Sequence, residues 1–343
     1  MAEQVQGGEE SLYNHGVAWW RGHLIGKGVF GYVYLANMKK PKSRNRIYPP
    51  IMAVKLANIS VSSSLQEEKE VFNHLYGCQF ILECYGEEIT TNKDGEIVYN
   101  QPFVGVCLWR NPGWSYKEIW SILQGIAYIH RHGYVHCDFK LENVLLVSSE
   151  SAKFVSKIGD FMLAKKIEKS KKRKLFSYLG EATSYMAPEI VVDHIQKPPS
   201  DIWAIGCIVF KTFIGRSVWD IKPNMTIEQL LKKIGDRYEL PKIPPKISKD
   251  GKDFLKACLV KNLNFRFTTE MLLDHPFVSG LDNAKGNEFG EILDEGHMNS
   301  IVTFSDINKE FYALSYYEDQ SSSSKEGSSS SLLDEKFGIL QDP

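Results

Sequence analysis

The stretch His136-Cys137-Asp138-Phe139-Lys140-Leu141-Glu142-Asn143-Val144-Leu145-Leu146 decides how the rest of the chain is read. It sets an Asp, a Lys and an Asn at positions n, n+2 and n+5 between two apolar segments. Upstream, Ile119, Leu123, Ile126 and Ile129 recur at helical spacing; downstream, Val144 to Val147 predicts a short buried strand. A loop anchored by a helix and a strand can hold three polar side chains around one small volume. Phosphoryl transfer asks for such a loop, because there the protein mainly positions groups and neutralises charge. Asp138 offers a carboxylate to take a hydroxyl proton, Lys140 a cation near a phosphate, and Asn143 an amide oxygen for a metal. An ordinary polar turn fits the stretch alone equally well, so the decision comes from the sequence around it.

Further on, Lys157-Ile158-Gly159-Asp160-Phe161-Met162 brings a second carboxylate to a strand end. Two carboxylates and an amide oxygen in one cleft suit Mg²⁺, a hard cation that prefers oxygen ligands. The run Lys165 to Lys174 is strongly basic. It reads as a solvated loop near the phosphate site, with a nuclear-localisation signal as the lesser alternative. Tyr185-Met186-Ala187-Pro188-Glu189 follows, and Asp201 heads a nearly continuous apolar helix, Ile202 to Phe210.

Toward the N-terminus, Ile25-Gly26-Lys27-Gly28-Val29-Phe30-Gly31-Tyr32-Val33-Tyr34-Leu35 predicts two strands joined by a glycine turn. Glycines at 26, 28 and 31 would let a phosphate approach the backbone. A dinucleotide-binding fold would continue into a helix, whereas this loop leads into a strand. Next, Lys55 sits in the apolar run Ile51 to Leu56, which is costly unless the lysine is paired or bound to a ligand. The helix expected at about 64–75 carries Leu65, Phe72 and Leu75 on one stripe, and Glu68 falls on the same stripe as the partner for Lys55. Strands are expected at 85–91, 96–99 and 101–109. Pro112-Gly113 marks the lobe boundary.

Composition agrees with a sizeable core: 343 residues, 43% hydrophobic, 12% aromatic. A net charge of −1 gives no general pull toward nucleic acid or acidic membranes. No apolar run is long enough to span a bilayer, and the polar N-terminal stretch is not a signal peptide. The six cysteines have no metal-ligand spacing and read as buried free thiols in a reducing compartment. Beyond residue 278, serine-rich runs predict a disordered tail. Within it, Phe304 to Tyr317 reads as either a docking motif or a remnant.

Taken in order, the glycine loop, strand lysine, helix glutamate, H-x-D-x-K-x-x-N, D-F-x and A-P-E make the chain resemble the eukaryotic protein kinases. Lys140 is similar to the Ser/Thr branch. Trp20-Arg21-Gly22, His136-Cys137-Asp138, Asn264 to Thr268 and His275-Pro276-Phe277-Val278 resemble plant MAP kinase kinase kinases. The resemblance implies a bilobal α+β fold: a β-rich N-lobe with one regulatory helix (about 19–110) and a mainly helical C-lobe (about 114–278). A flexible segment, 1–18, and the tail, 279–343, would flank it. It further implies ATP and Mg²⁺ as cofactors, protein substrates of the MAP kinase kinase class, and a cytoplasmic or also nuclear location. Ile25, Gly26, Lys27, Gly28 and Gly31 would cover ATP, with Val33, Ala53 and Leu145 at the adenine and Lys55, paired with Glu68, at the phosphates. Asp138 and Lys140 would serve transfer, and Asn143 and Asp160 would hold Mg²⁺. Phe72, His136 and Phe161 would stack, Glu189 would pair with Arg266, and Asp201 would brace the catalytic loop.

Four departures stand against the family pattern. Cys137 replaces an Arg that ordinarily meets an activation-loop phosphate, which implies less dependence on loop phosphorylation. Met162 replaces a Gly and would cost about 1–2 kcal/mol if its backbone were left-handed. Ala182 stands where a Thr is usual, with Thr183 one place late. Trp109 to Ser115, spanning only ~25 Å when extended, leaves little room for the usual hinge and helix. The short hinge, Met162 and Ala182 keep a second expectation open, a scaffold with impaired ATP binding.

Overall fold

The computed structural model describes residues 16–28, 31–39, 49–92, 94–104, 116–147, 155–168 and 181–279. The expected lobe boundary at Pro112-Gly113, the segment Trp109 to Ser115, most of the basic run and the serine-rich tail lie outside these residues. No helix among the described residues is long and apolar enough to cross a membrane.

The N-terminal part is a five-stranded antiparallel sheet. Its strands are β1 (Trp19–Gly28), β2 (Gly31–Met38), β3 (Ile51–Asn58), β4 (Glu88–Thr91) and β5 (Ile97–Val104), in the order β1-β2-β3-β5-β4. Side chains alternate across a strand, so Met52 and Val54 face one side while Ala53 and Lys55 face the other. The Met52 side is closed by Trp19, fully buried against Ala36, Met52 and Val54. The Trp19 indole N–H donates to Glu88 Oε2 at 2.9 Å, tying β1 to the far strand of the sheet. The Lys55 side receives α1 (Ser63–His74), which buries Leu65, Glu68, Val71 and Phe72.

One expectation about this sheet needs correction. The two strands placed either side of residue 100 are a single strand, β5, which runs through Pro102. A proline is tolerated there because the Pro102 carbonyl accepts the Tyr85 N–H at 2.9 Å. Nitrogen and carbonyl of a strand residue face the same edge, so the ring nitrogen points away from β3 and no β3 ladder bond is lost. β4 also starts later than expected, at Glu88.

The C-terminal part is built on α2 (Tyr116–Arg131) and α4 (Pro198–Ile214). α4 is buried without interruption from Ser200 to Phe210 and ends at Gly215, whose φ of 76° makes the left-handed cap. Around these two helices lie α3 (Pro188–Val192), α5 (Ile227–Gly235), α6 (Lys249–Cys258), α7 (Thr269–Leu273) and α8 (Pro276–Ser279). Two small ladders complete it: β6 (Tyr134–Val135) with β9 (Lys165–Lys166), and β7 (Val144–Val147) with β8 (Val155–Ile158). The first two lysines of the basic run are therefore strand residues, not loop. Gly125 lets α2 lie on β8, since a Cβ there would sit 2.7 Å from Ile158 Cδ1. The segment after α1 joins the same ladder: Leu82 N–H donates to the Ile158 carbonyl, and Ile158 N–H to that of Phe80, both at 2.8 Å.

The thiols also differ from expectation. Of the five described cysteines, all free, only Cys207 and Cys258 are buried; Cys78, Cys84 and Cys137 are half-buried.

Candidate active site

The opening stretch forms the turn between α2 and β7, and its hydrogen bonds are mutual. Lys140 Nζ donates to Asp138 Oδ2 at 2.6 Å, and Asn143 Nδ2 to the Asp138 carbonyl at 2.8 Å. With its amide nitrogen committed there, the Asn143 amide oxygen faces the other way. Gly159 N–H donates to the Asn143 carbonyl at 2.9 Å, which sets Asn143 beside the segment that carries Asp160.

The buried Asp201 carboxylate holds this turn from beneath. It accepts the His136 N–H at 2.9 Å and the Cys137 N–H at 3.1 Å, and lies 2.9 Å from His130 Nε2. Cys137 has a left-handed φ of 69°, at a cost of about 1–2 kcal/mol. The two bonds to Asp201, with Gln196 Nε2 on the Cys137 carbonyl at 3.3 Å, fix that conformation.

Across the cleft, Lys55 is shared by two carboxylates. Its Nζ lies 3.0 Å from Glu68 Oε2 and 3.1 Å from Asp160 Oδ1. Glu68 Oε1 also accepts the Phe161 N–H at 2.9 Å. Burial works to lower the Lys55 pKa, but Glu68 and Asp160 outweigh it and hold the ammonium above its ordinary value. Burial pushes Glu68 up to about 7 in spite of Lys55, and Asp160 adds to the rise. Burial would also raise Asp160, but Lys55 overcomes it and keeps that carboxyl below its usual range. The Asp160 side chain is 40% exposed against 1% for Glu68, so Asp160 alone of the two keeps a side open to a ligand. An ionised Asp160 and the Asn143 amide oxygen are a donor set that fits Mg²⁺.

The expected aromatic stack is present. Phe161 meets Phe72 at 5.0 Å and His136 at 5.1 Å between ring centroids. Phe103 extends it, 5.2 Å from Phe72, and was missed in the sequence because only contact across α1 reveals it.

Val33 and Ala53 lie on the Lys55 face of the sheet, as the pairing of Val33 with Lys55 and of Leu35 with Ala53 requires. Ile25 sits at an irregularity of β1 between Leu24 and Gly26. Leu145 is half-buried on β7 beside Gly159. Lys27 is exposed, its Nζ 5.6 Å over the Tyr32 ring of its own hairpin. The three loop glycines are not alike. At Gly31, with φ 150°, a Cβ would lie 2.2 Å from the Leu56 carbonyl oxygen, so β3 itself demands glycine. At Gly26 and Gly28 the nearest atoms would be 3.7 and 3.9 Å away, so the protein leaves room there.

Two departures acquire a physical account. Met162 is not left-handed; the positive φ falls on Asp160, at 60°. The anticipated strain at Met162 is absent, and its side chain is buried. Thr183 is fully buried, and its hydroxyl has no hydrogen-bond partner among the described residues, so it makes no bond to Asp138 or Lys140.

Behind the turn, Arg266 and Glu189 form the expected pair in bidentate fashion, at 2.7 and 3.0 Å. Ser200 Oγ donates to Glu189 at 2.8 Å, and Arg266 also reaches the carbonyls of Pro199 and Val260. Lys211, which the sequence did not single out, bonds the Tyr185 hydroxyl at 3.0 Å and lies 3.8 Å from Glu142 of the turn that carries Asp138.

Known proteins resemble this chain in sequence. Residues 107–278 match the protein kinase domain. The chain is 38% identical over 277 residues to mitogen-activated protein kinase kinase kinase 20 of Arabidopsis thaliana, spanning 76% of this chain and 78% of that protein. Kinase kinase kinases 17 and 18 of the same plant are 29% and 30% identical over 76% of this chain, and over 69% and 77% of their own lengths. The order of the motifs, the lysine held between two carboxylates and these relatives converge: the chain belongs to the protein kinase family, as a serine/threonine kinase resembling the plant MAP kinase kinase kinases.

Proposed function

We propose that the protein transfers the γ-phosphate of ATP to Ser/Thr residues of MAP kinase kinases in a plant-type cascade. The observation that carries this is Lys55, held at hydrogen-bond distance between Glu68 and Asp160. Glu68 and Asp160 keep Lys55 ionised inside the sheet, and its position suits the α- and β-phosphates. Gly26, Gly28 and Gly31 would cover those phosphates, with Ile25, Lys27, Val33, Ala53 and Leu145 around the nucleotide. Asp138 would accept the substrate hydroxyl proton, and Lys140 would offset charge on the moving phosphoryl group. Asn143 and Asp160 would hold Mg²⁺, which supplies charge neutralisation at the phosphates. Cys137 brings no cation to the turn, and the Asp201 bonds hold it instead, which supports activity without a loop phosphate. The kinase unit spans 19–278.

The rival reading is a scaffold that binds ATP poorly. Its Met162 argument fails on the backbone, and the retained Lys55, Glu68, Asp138, Asn143 and Asp160 favour catalysis. The test is phosphate transfer by purified protein to a MAP kinase kinase and to a generic protein, with ATP and Mg²⁺. Incorporation at Ser/Thr of the MAP kinase kinase, abolished by a chelator, is expected. Transfer to the generic protein alone overturns the substrate assignment. Absence of transfer to either, together with no thermal shift on adding ATP and Mg²⁺, would favour the scaffold.

A further inference from the structure

Met162 is the residue in the metal-binding segment that the transfer chemistry leaves without a role. It is 6% exposed and packs with Ala57 of β3, Leu65 of α1 and Tyr99 of β5, with Ile59 against the same cluster. Leu65 lies one helical turn before Glu68, on the same buried face of α1. One turn after Glu68 comes Phe72, which Phe161 meets edge-on. Three successive residues therefore grip α1 around its buried carboxylate, Glu68. Asp160 shares Lys55 with Glu68, Phe161 bonds Glu68 and packs on Phe72, and Met162 belongs to the buried cluster that holds Leu65.

The helix needs such contacts. It has twelve residues, and Ser62 at its start makes no side-chain cap to it. A helix that short is marginal by itself, so packing decides where it sits. Glu68 is also costly to hold: it is buried and shares its lysine with a second carboxylate. A side chain that fills the space under Leu65 favours the arrangement in which Glu68 stays on Lys55. Glycine or alanine at 162 would leave a cavity in that arrangement.

We propose that Met162 is a positioning residue, whose side chain pins α1 through Leu65 and so sets the fraction of molecules in which Glu68 meets Lys55. This rests on the kinase reading of the site. It predicts that kcat/KM for ATP falls about 5- to 30-fold in Met162→Ala, a coupling of ordinary size. Met162→Leu, which keeps the volume, restores most of the activity.

The decisive experiment is a double-mutant cycle with Glu68→Gln, with kcat/KM for ATP and the melting temperature measured for each protein. If Met162 acts through Glu68, Met162→Ala costs little further activity once Glu68→Gln is present. A merely structural methionine would add its full loss in both backgrounds, and that result overturns the inference. So does an unchanged kcat/KM in Met162→Ala while Glu68→Gln is impaired. If Glu68→Gln itself retains full activity, the reading of the Lys55 site fails, and the inference fails with it. Met162→Val, which removes part of the side chain, takes the place of Met162→Ala in the cycle should the alanine variant not fold.

Discussion

Two buried ion clusters in this molecule look alike and behave differently. At Glu189 and Arg266, one cation meets one carboxylate through two bonds, and Ser200, Pro199 and Val260 take up remaining capacity. At Lys55, one cation serves two carboxylates, and one of those is held below its ordinary pKa while the other is pushed up to about 7. The first cluster is complete within the protein and ties α3, α4 and the segment after α6 together. The second carries surplus negative charge, and one of its members keeps an open side. A finished pair holds a fold, whereas an unfinished one is arranged for something that arrives later.

Breaking each cluster should separate stability from activity. Glu189→Ala leaves Arg266 buried without its counter-charge and should cost about 3–5 kcal/mol of stability. Denaturant unfolding checks this, and the folded fraction should turn over at a rate close to that of the wild type. Lys55→Met should do the reverse. Glu68 can take up a proton rather than remain an unpaired charge, so the fold survives, while loss of the phosphate-facing cation lowers turnover by roughly 10²–10³-fold. Equal melting temperatures for the two variants would remove the distinction drawn between the clusters.

The pH dependence is the smallest effect and the sharpest discriminator. Glu68 rises from 4.5 when unfolded to about 7 when folded, so the folded state binds its proton more tightly. Its stabilising contribution is therefore full below about 4.5 and is lost as pH rises toward about 7. Asp160 has the opposite sign, its contribution being lost as pH falls through its depressed value. In metal-free protein, Glu68→Gln should flatten the fall of melting temperature with pH across that window. An unchanged slope would show that another group titrates there.

What could be read from the sequence depended on the range of the interaction. Helical periodicity placed Glu68 on the buried stripe of α1, and the run of motifs brought Asp138, Asn143 and Asp160 to one cleft. The Glu189–Arg266 pair came from family resemblance, not from any local signal. Backbone strain was misplaced, because φ at Cys137 and Asp160 is set by distant bonds to Asp201 and Lys55, while residue type suggested Met162. Trp19 gave no hint of its bond to Glu88, since that contact crosses the whole sheet. β5 was divided at Asn100, because only its continuous pairing with β3 shows one strand running through that residue.

The most direct test of the phosphoryl-transfer site is Asp138→Asn, compared with wild type in single-turnover transfer from ATP with Mg²⁺ at matched folding. A rate lower by roughly 10²–10⁴-fold, with the melting temperature unchanged, is predicted. Equal rates for the two proteins would contradict the account.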